Sequence, residues 1–205
     1  MRLSRIDDAS RSVHHHLTED DECYYFLEYT SGRDYKFSKA NNAISNLKKK
    51  PSNRNRPDYK YKLEVIRAAS NEFRGALNPQ WLQKATLVPI PGSKAKDHPD
   101  YDDRMEQVCM GIRAGLDVRN LVVQRESTVA SHEADGGPRV TVDELLDLYQ
   151  IDENLAHPAP DSIAIFDDVL TAGVHFRAMK NTLAHRFPGT PIVGMFIARR
   201  IFPPD

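Results

Sequence analysis

With 28 Lys and Arg against 29 Asp and Glu in 205 residues, the chain carries a formal net charge of -1 and no global pull toward nucleic acid or a membrane surface. Its length suffices for a sizeable core, and two cysteines, Cys23 and Cys109, both in predicted secondary structure, argue against a disulfide scaffold or a zinc site. The longest apolar runs are of strand length and the N-terminus is polar, so neither a membrane span nor a signal peptide is expected, and the expected location is cytoplasmic.

His14, His15 and His16 invite a metal reading, but three consecutive positions of a regular element cannot all point at one ion, and a structural role is expected. Cys23 to Tyr29 predicts an aromatic strand, and Thr30 to Asp34 a turn into a shorter one. Ser38 to Lys50 predicts a helix that ends in Lys48, Lys49 and Lys50. Residues 52–62 form a polar, basic linker. Tyr59 and Tyr61 interleave with the basic residues from Lys48 to Lys62, a pattern that suits nucleic acid but fits a solvated helix end and linker better, so no nucleic-acid partner is expected. Tyr59 to Leu77 then predicts an amphipathic helix through Leu63, Ile66, Ala69 and Phe73.

Leu87, Val88 and Ile90 mark a short buried strand within Ala85 to Pro91. It is closed by the Pro91-Gly92 turn, whose backbone can approach a ligand closely, and Ser93, Lys94 and Lys96 follow. Asp100 to Leu116 places Met105, Val108, Cys109 and Ile112 at helical spacing. Arg104, in the first turn, either reaches a phosphate or pairs with a nearby aspartate. Asn120 to Val123 predicts a second core strand. Gln124 to Arg139 is a polar loop long enough to suggest a lid, with Arg125, Thr128, His132 and Arg139 as candidate contacts to a phosphate or base.

Ser162 to Phe176 is the most informative stretch. The run Ile163, Ala164, Ile165, Phe166 has no polar interruption, as expected of a strand buried on both faces of a parallel sheet. It is read as ending at Asp167 and Asp168. Ligands of such sheets collect at the carboxyl ends of strands, where a helix N-terminus offers free N–H groups to a phosphate. Thr171, Ala172, Gly173, Val174 and His175 would form that cradle. The two carboxylates would accept hydrogen bonds from vicinal sugar hydroxyls or hold water around Mg2+. Phe176 to Phe187 predicts a helix and Pro191 to Ala198 another buried strand, with Arg199 and Arg200 just beyond. Strands and helices alternate from residue 85 onward, which predicts an α/β fold with a mainly parallel sheet flanked by helices.

Asp167, Asp168, Val169, Thr171 and Gly173 together resemble the phosphoribosyl pyrophosphate (PRPP) motif of type I phosphoribosyltransferases, although Ala172, Val174 and His175 replace that motif's hydroxyl residues. Val88 to Lys94, VPIPGSK, is similar to the pyrophosphate loop of the ComF-like branch. The resemblance implies that Asp167 and Asp168 contact the ribose and that Thr171 to His175 wrap the 5′-phosphate. Pro91, Gly92, Ser93 and Lys94 would hold the pyrophosphate, and Mg2+ would enter with PRPP, aided by Asp167 and Asp168. Arg104, Arg125 and Arg139 are further phosphate or loop contacts. Residues 81–205 would be the PRPP-binding core and residues 1–80 an N-terminal α+β extension or hood. The implied activity is transfer of ribose phosphate to a nitrogen acceptor, nucleobase-like, with release of pyrophosphate, in a chain that often dimerises. A module of the same fold that senses PRPP or a nucleotide without turning it over is one alternative. A metal-dependent hydrolase of a sugar phosphate or nucleotide is the other.

Overall fold

The computed structural model describes residues 1–125 and 140–203. Strand β1 (Ser4–Arg5) and helix α1 (Asp8–Arg11) precede the long strand β2 (Glu22–Thr30). Helices α2 (Lys39–Leu47), α3 (Lys60–Ala76) and α4 (Pro79–Leu82) lead to β3 (Ala85–Pro89) and α5 (Arg104–Ile112). A hairpin of β4 (Val122–Gln124) and β5 (Tyr149–Ile151) brackets α6 (Val142–Leu148). The chain closes with β6 (Ser162–Leu170), α7 (Val174–Arg186) and β7 (Ile192–Ile201).

Five strands form one sheet in the order β1-β2-β7-β6-β3, in which β2, β7, β6 and β3 run parallel and β1 joins the edge antiparallel. The doubly apolar patterns explain this. All five residues of β3 are buried. In β6, Ile163 and Ile165 feed one core while Ala164 and Phe166 feed the other, the alternation of a strand covered on both faces. One cover is α2, α3 and α5, through Ile44, Leu47, Ile66, Phe73, Val108 and Ile112. The other is α6, α7 and the hairpin, through Leu145, Tyr149, Met179 and Leu183. Each such side chain contributes about 1.5–3 kcal/mol of burial. Between the layers, Gly194 leaves room for the rings of Phe176 and Phe196 and the thiol of Cys23, since a Cβ there would lie 2.7–2.9 Å from all three.

Within residues 1–80, β1 and β2 are strands of this sheet. Strand β2 pairs with β7 along its length, from Glu22 with Val193 to Thr30 with Ile201, and α2 and α3 supply one of the two helical covers. After Thr30 the chain turns directly into α2, capped by the Ser38 hydroxyl on Asn41 N–H, without the second short strand expected there. Asn120–Val123 is not a core strand either. At the sheet edge beside β3, Leu87 forms an isolated parallel bridge with Val118, while Val122 to Gln124 pairs antiparallel with β5. Leu121 and Val122 reach full burial against the α6 and α7 cover without joining the sheet. The predicted helix 100–116 contracts to α5, with Asp103 at its N-cap. Among the described residues no helix is long and apolar enough to cross a membrane.

Candidate functional site

The carboxyl ends of β2, β6 and β7 open on a cleft of about 660 Å3. Tyr29, Arg33, Tyr35 and Lys48 line one side, and Thr171, Ala172, Val174, His175 and Arg200 the other. This is where ligands of open parallel sheets collect. The turn between β6 and α7 depends on Gly173, the N-cap of α7, whose φ of 93° lies in the left-handed region. A Cβ there would also sit 3.3 Å from the Leu17 side chain. A second segment braces the same turn: His16 N–H donates to Ala172 O at 3.0 Å, and the buried His14 ring bonds Thr171 O. Burial holds His14 below its ordinary pKa, so the neutral ring donates through Nδ1. Of the three histidines, the His14 ring and the His16 backbone thus brace this turn, while His15 is exposed. Among the described residues no three His, Cys, Asp or Glu side chains are placed to hold an ion.

Asp167 and Asp168 lie within β6 rather than beyond its end, since Asp167 still pairs with Phe196 and Val169 with Ala198. Adjacent strand residues point to opposite faces, so the two carboxylates diverge. Asp168 turns toward α2 and α5. Its Oδ2 accepts from Arg104 Nε at 3.0 Å and Nη2 at 2.6 Å, and its Oδ1 lies 3.3 Å from Lys48 Nζ. Arg104 Nη1 also donates to Asp102 Oδ2 at 2.7 Å, and the same oxygen accepts from the buried Lys62 at 2.6 Å. Charges thus alternate through Lys48, Asp168, Arg104, Asp102 and Lys62. Burial alone would raise the Asp168 pKa, but Lys48 and Arg104 outweigh it and hold the carboxyl well below the usual carboxylate range. Asp167 moves the other way, raised by burial and by the charge of Asp168.

On the Asp167 side, Tyr149 OH lies 3.0 Å from Nδ1 of His175. Burial pushes the Tyr149 hydroxyl up and the His175 imidazole down to about 4. His175 is therefore neutral at neutral pH and adds no charge to the cradle. The protonated Tyr149 donates to Nδ1, which leaves the hydrogen of the ring on Nε2.

The loop after β3 occupies a different place. Pro91, Gly92 and Lys94, with Tyr101, Asp102, Asp103, Met105 and Glu106, line a small pocket of about 30 Å3, and the Ser93 carbonyl accepts from Gln124 Nε2 at 3.5 Å. Because β3 and β6 are neighbours, this loop and the β6 turn leave adjacent strand ends. They line separate hollows, and Asp167, Asp168 and Arg104 are among the lining residues of neither. Arg125 is exposed, with its N–H on Leu148 O. Thr128, His132 and Arg139 lie outside the described residues. Arg199 is tied to Glu28, whereas the buried Arg200 lines the cleft.

Three contributors escaped the sequence reading. Lys48 was legible only as part of a basic run, and Asp102 only as an acidic residue near a helix start. Tyr149 follows α6, whose T-V-D-E capping box, Thr141 with Glu144, marks a helix start in the sequence. Comparison of the sequence with protein-family models and with curated proteins finds no match.

Proposed function

We propose that the protein binds Mg-PRPP at the β6–α7 turn and transfers its ribose phosphate to a nitrogen acceptor with loss of pyrophosphate, as a type I phosphoribosyltransferase-like enzyme. One observation carries this reading: an acidic pair at the carboxyl end of a doubly buried parallel strand runs into a glycine-started helix beside a cleft of about 660 Å3. The backbone N–H groups of the first turn of α7 suit a 5′-phosphate, with the neutral His175 Nε2–H as a further donor. Asp167 accepts from the ribose. Lys94 and the Gly92 backbone hold the pyrophosphate end, where Arg104 counters the charge that develops as the bond to C1 breaks.

Mg2+ suits these hard oxygen donors, but Asp168 already carries two cations, so the metal would rest on Asp167 and on the phosphates of the substrate. When bound it neutralises pyrophosphate charge. A specific observation favours a second reading, a PRPP or nucleotide sensor: Asp168 is committed to Arg104 and Lys48, and Ala172 and Val174 lack the hydroxyls of an active cradle.

Calorimetric titration with Mg-PRPP tests the site, and pyrophosphate release across a panel of bases tests the reaction. Asp167→Asn should abolish binding while the fold survives. Undiminished binding by that variant would sink the assignment, and binding without release would leave the sensor.

A further inference from the structure

We propose that the flank of α2, from Arg33 to Lys60, is a surface for single-stranded nucleic acid. Residues 33–62 hold ten Lys and Arg against two Asp, a local net charge of +8 in a chain whose total is -1. Part of this charge is used internally: Lys48 pairs with Asp168, Lys49 with Asp58 and Lys62 with Asp102. Arg33, Lys36 and Lys39 before and at the start of α2, and Arg54, Arg56 and Lys60 beyond its end, are all exposed. Such a strip attracts a polyanion whatever the net charge of the chain.

Aromatic rings say which polyanion. Tyr35 is 51% exposed, Phe37 52% and Tyr61 43%, an unusual placement for large rings at the surface of a chain that buries its other phenylalanines except Phe202 and the half-buried Phe26. Each ring stands with cations. Arg33 lies 5.4 Å from the Phe37 ring and Lys36 5.6 Å from Tyr35, while Lys49 and Lys60 each lie 5.2 Å from Tyr61. Rings that stack with bases, interleaved with cations that meet phosphates, are what a single strand needs, since only unpaired bases offer their faces. A duplex would engage the cations alone. An anionic membrane would need an apolar stripe beside them, but the outer face of α2 presents Lys39, Asn42 and Ser45. The two aromatic groups flank this nine-residue helix, about 13 Å long. Arg33, Tyr35 and Lys48 also line the cleft, which makes strip and cleft continuous.

Fluorescence anisotropy of the full chain with a labelled oligo-dT of about 12 nucleotides tests this surface. Saturable binding should weaken with salt with a log–log slope near -3, about 0.7 for each of some four or five phosphate contacts. Tyr35→Ala with Phe37→Ala should weaken binding about tenfold and Tyr61→Ala severalfold, with thermal melts unchanged because these rings are exposed. A duplex of equal length should bind at least tenfold more weakly. The proposal is overturned by absence of binding at low salt. It is equally overturned if the aromatic variants bind like the parent and duplex or anionic vesicles compete as well as the single strand.

Discussion

Replacing Arg104 with Met deletes the centre of the charge chain at the strand end and leaves two acidic groups behind. The side chain of Arg104 is 19% exposed and that of Asp168 only 5%, so solvent screens their pairing weakly. Truncating one partner of a buried pair costs about 3–5 kcal/mol, because the remaining charge stays desolvated. Here the lower end of that range applies. Asp168 keeps Lys48 at 3.3 Å and Asp102 keeps Lys62 at 2.6 Å, so neither carboxylate is stranded. A loss of about 3 kcal/mol follows, a drop in Tm of roughly 6–12 °C for a domain of this size. Paired with Asp168→Leu, the same substitution should cost about 2 kcal/mol less than the two single changes summed, since an apolar pair has no charge to strand. Urea unfolding of the four proteins in this cycle measures the coupling. If Arg104→Met costs under about 1 kcal/mol, as an exposed pair would, the claim that this pairing holds α5 to β6 fails.

Gly173→Ala should cost about 1–2 kcal/mol for its left-handed backbone alone, with Leu17 having to yield as well. A thermal melt should show a loss of roughly 2–8 °C. His175 titrates near 4 in the fold against 6.5 ordinarily, so between those values the unfolded chain binds the additional proton. Stability from this group is therefore present above the unfolded value and lost as pH falls through the folded one. His175→Gln should flatten the dependence of urea stability between pH 4.5 and 7 by about 2 kcal/mol; an unchanged profile would refute the neutral-imidazole reading.

The layers were legible because residues 163–166 in β6 and 192–198 in β7 are apolar without interruption, and such runs admit few placements besides a parallel sheet covered on both faces. Residues 23–29 predict a strand, yet Tyr24, Tyr25 and Tyr29 with Glu28 disguise its parallel pairing with β7, because aromatic and polar alternation resembles a half-exposed antiparallel strand. Asn120–Val123 misled in the opposite way, since its burial is real and its partner is a hairpin. Thr171 to His175 are candidates on local spacing alone. The groups that meet Asp168 and His175, namely Lys48, Asp102 through Arg104, and Tyr149, lie 26 to 120 residues away from them. No periodicity reports such contacts.

The adjacency that makes Asp167 and Asp168 conspicuous in the sequence is also what divides them in space. A strand sends neighbours to opposite faces, and here those faces differ chemically. Asp168 meets two cations and is kept ionised, while Asp167 is buried beside that charge and near Tyr149 and is pushed toward its protonated form. On the proposed reading, the two carboxylates therefore cannot be interchangeable ribose ligands. Asp168→Asn would release Arg104 and Lys48 from their shared anion and destabilise the junction of α2, α5 and β6. Asp167→Asn, of the same shape and losing only the longer-range attraction of Lys48 and Arg104, removes a carboxylate whose ionised form the fold already disfavours. Stability should thus separate the two substitutions even where both impair ligand binding, which assigns the structural role to the second aspartate and the ligand-facing role to the first.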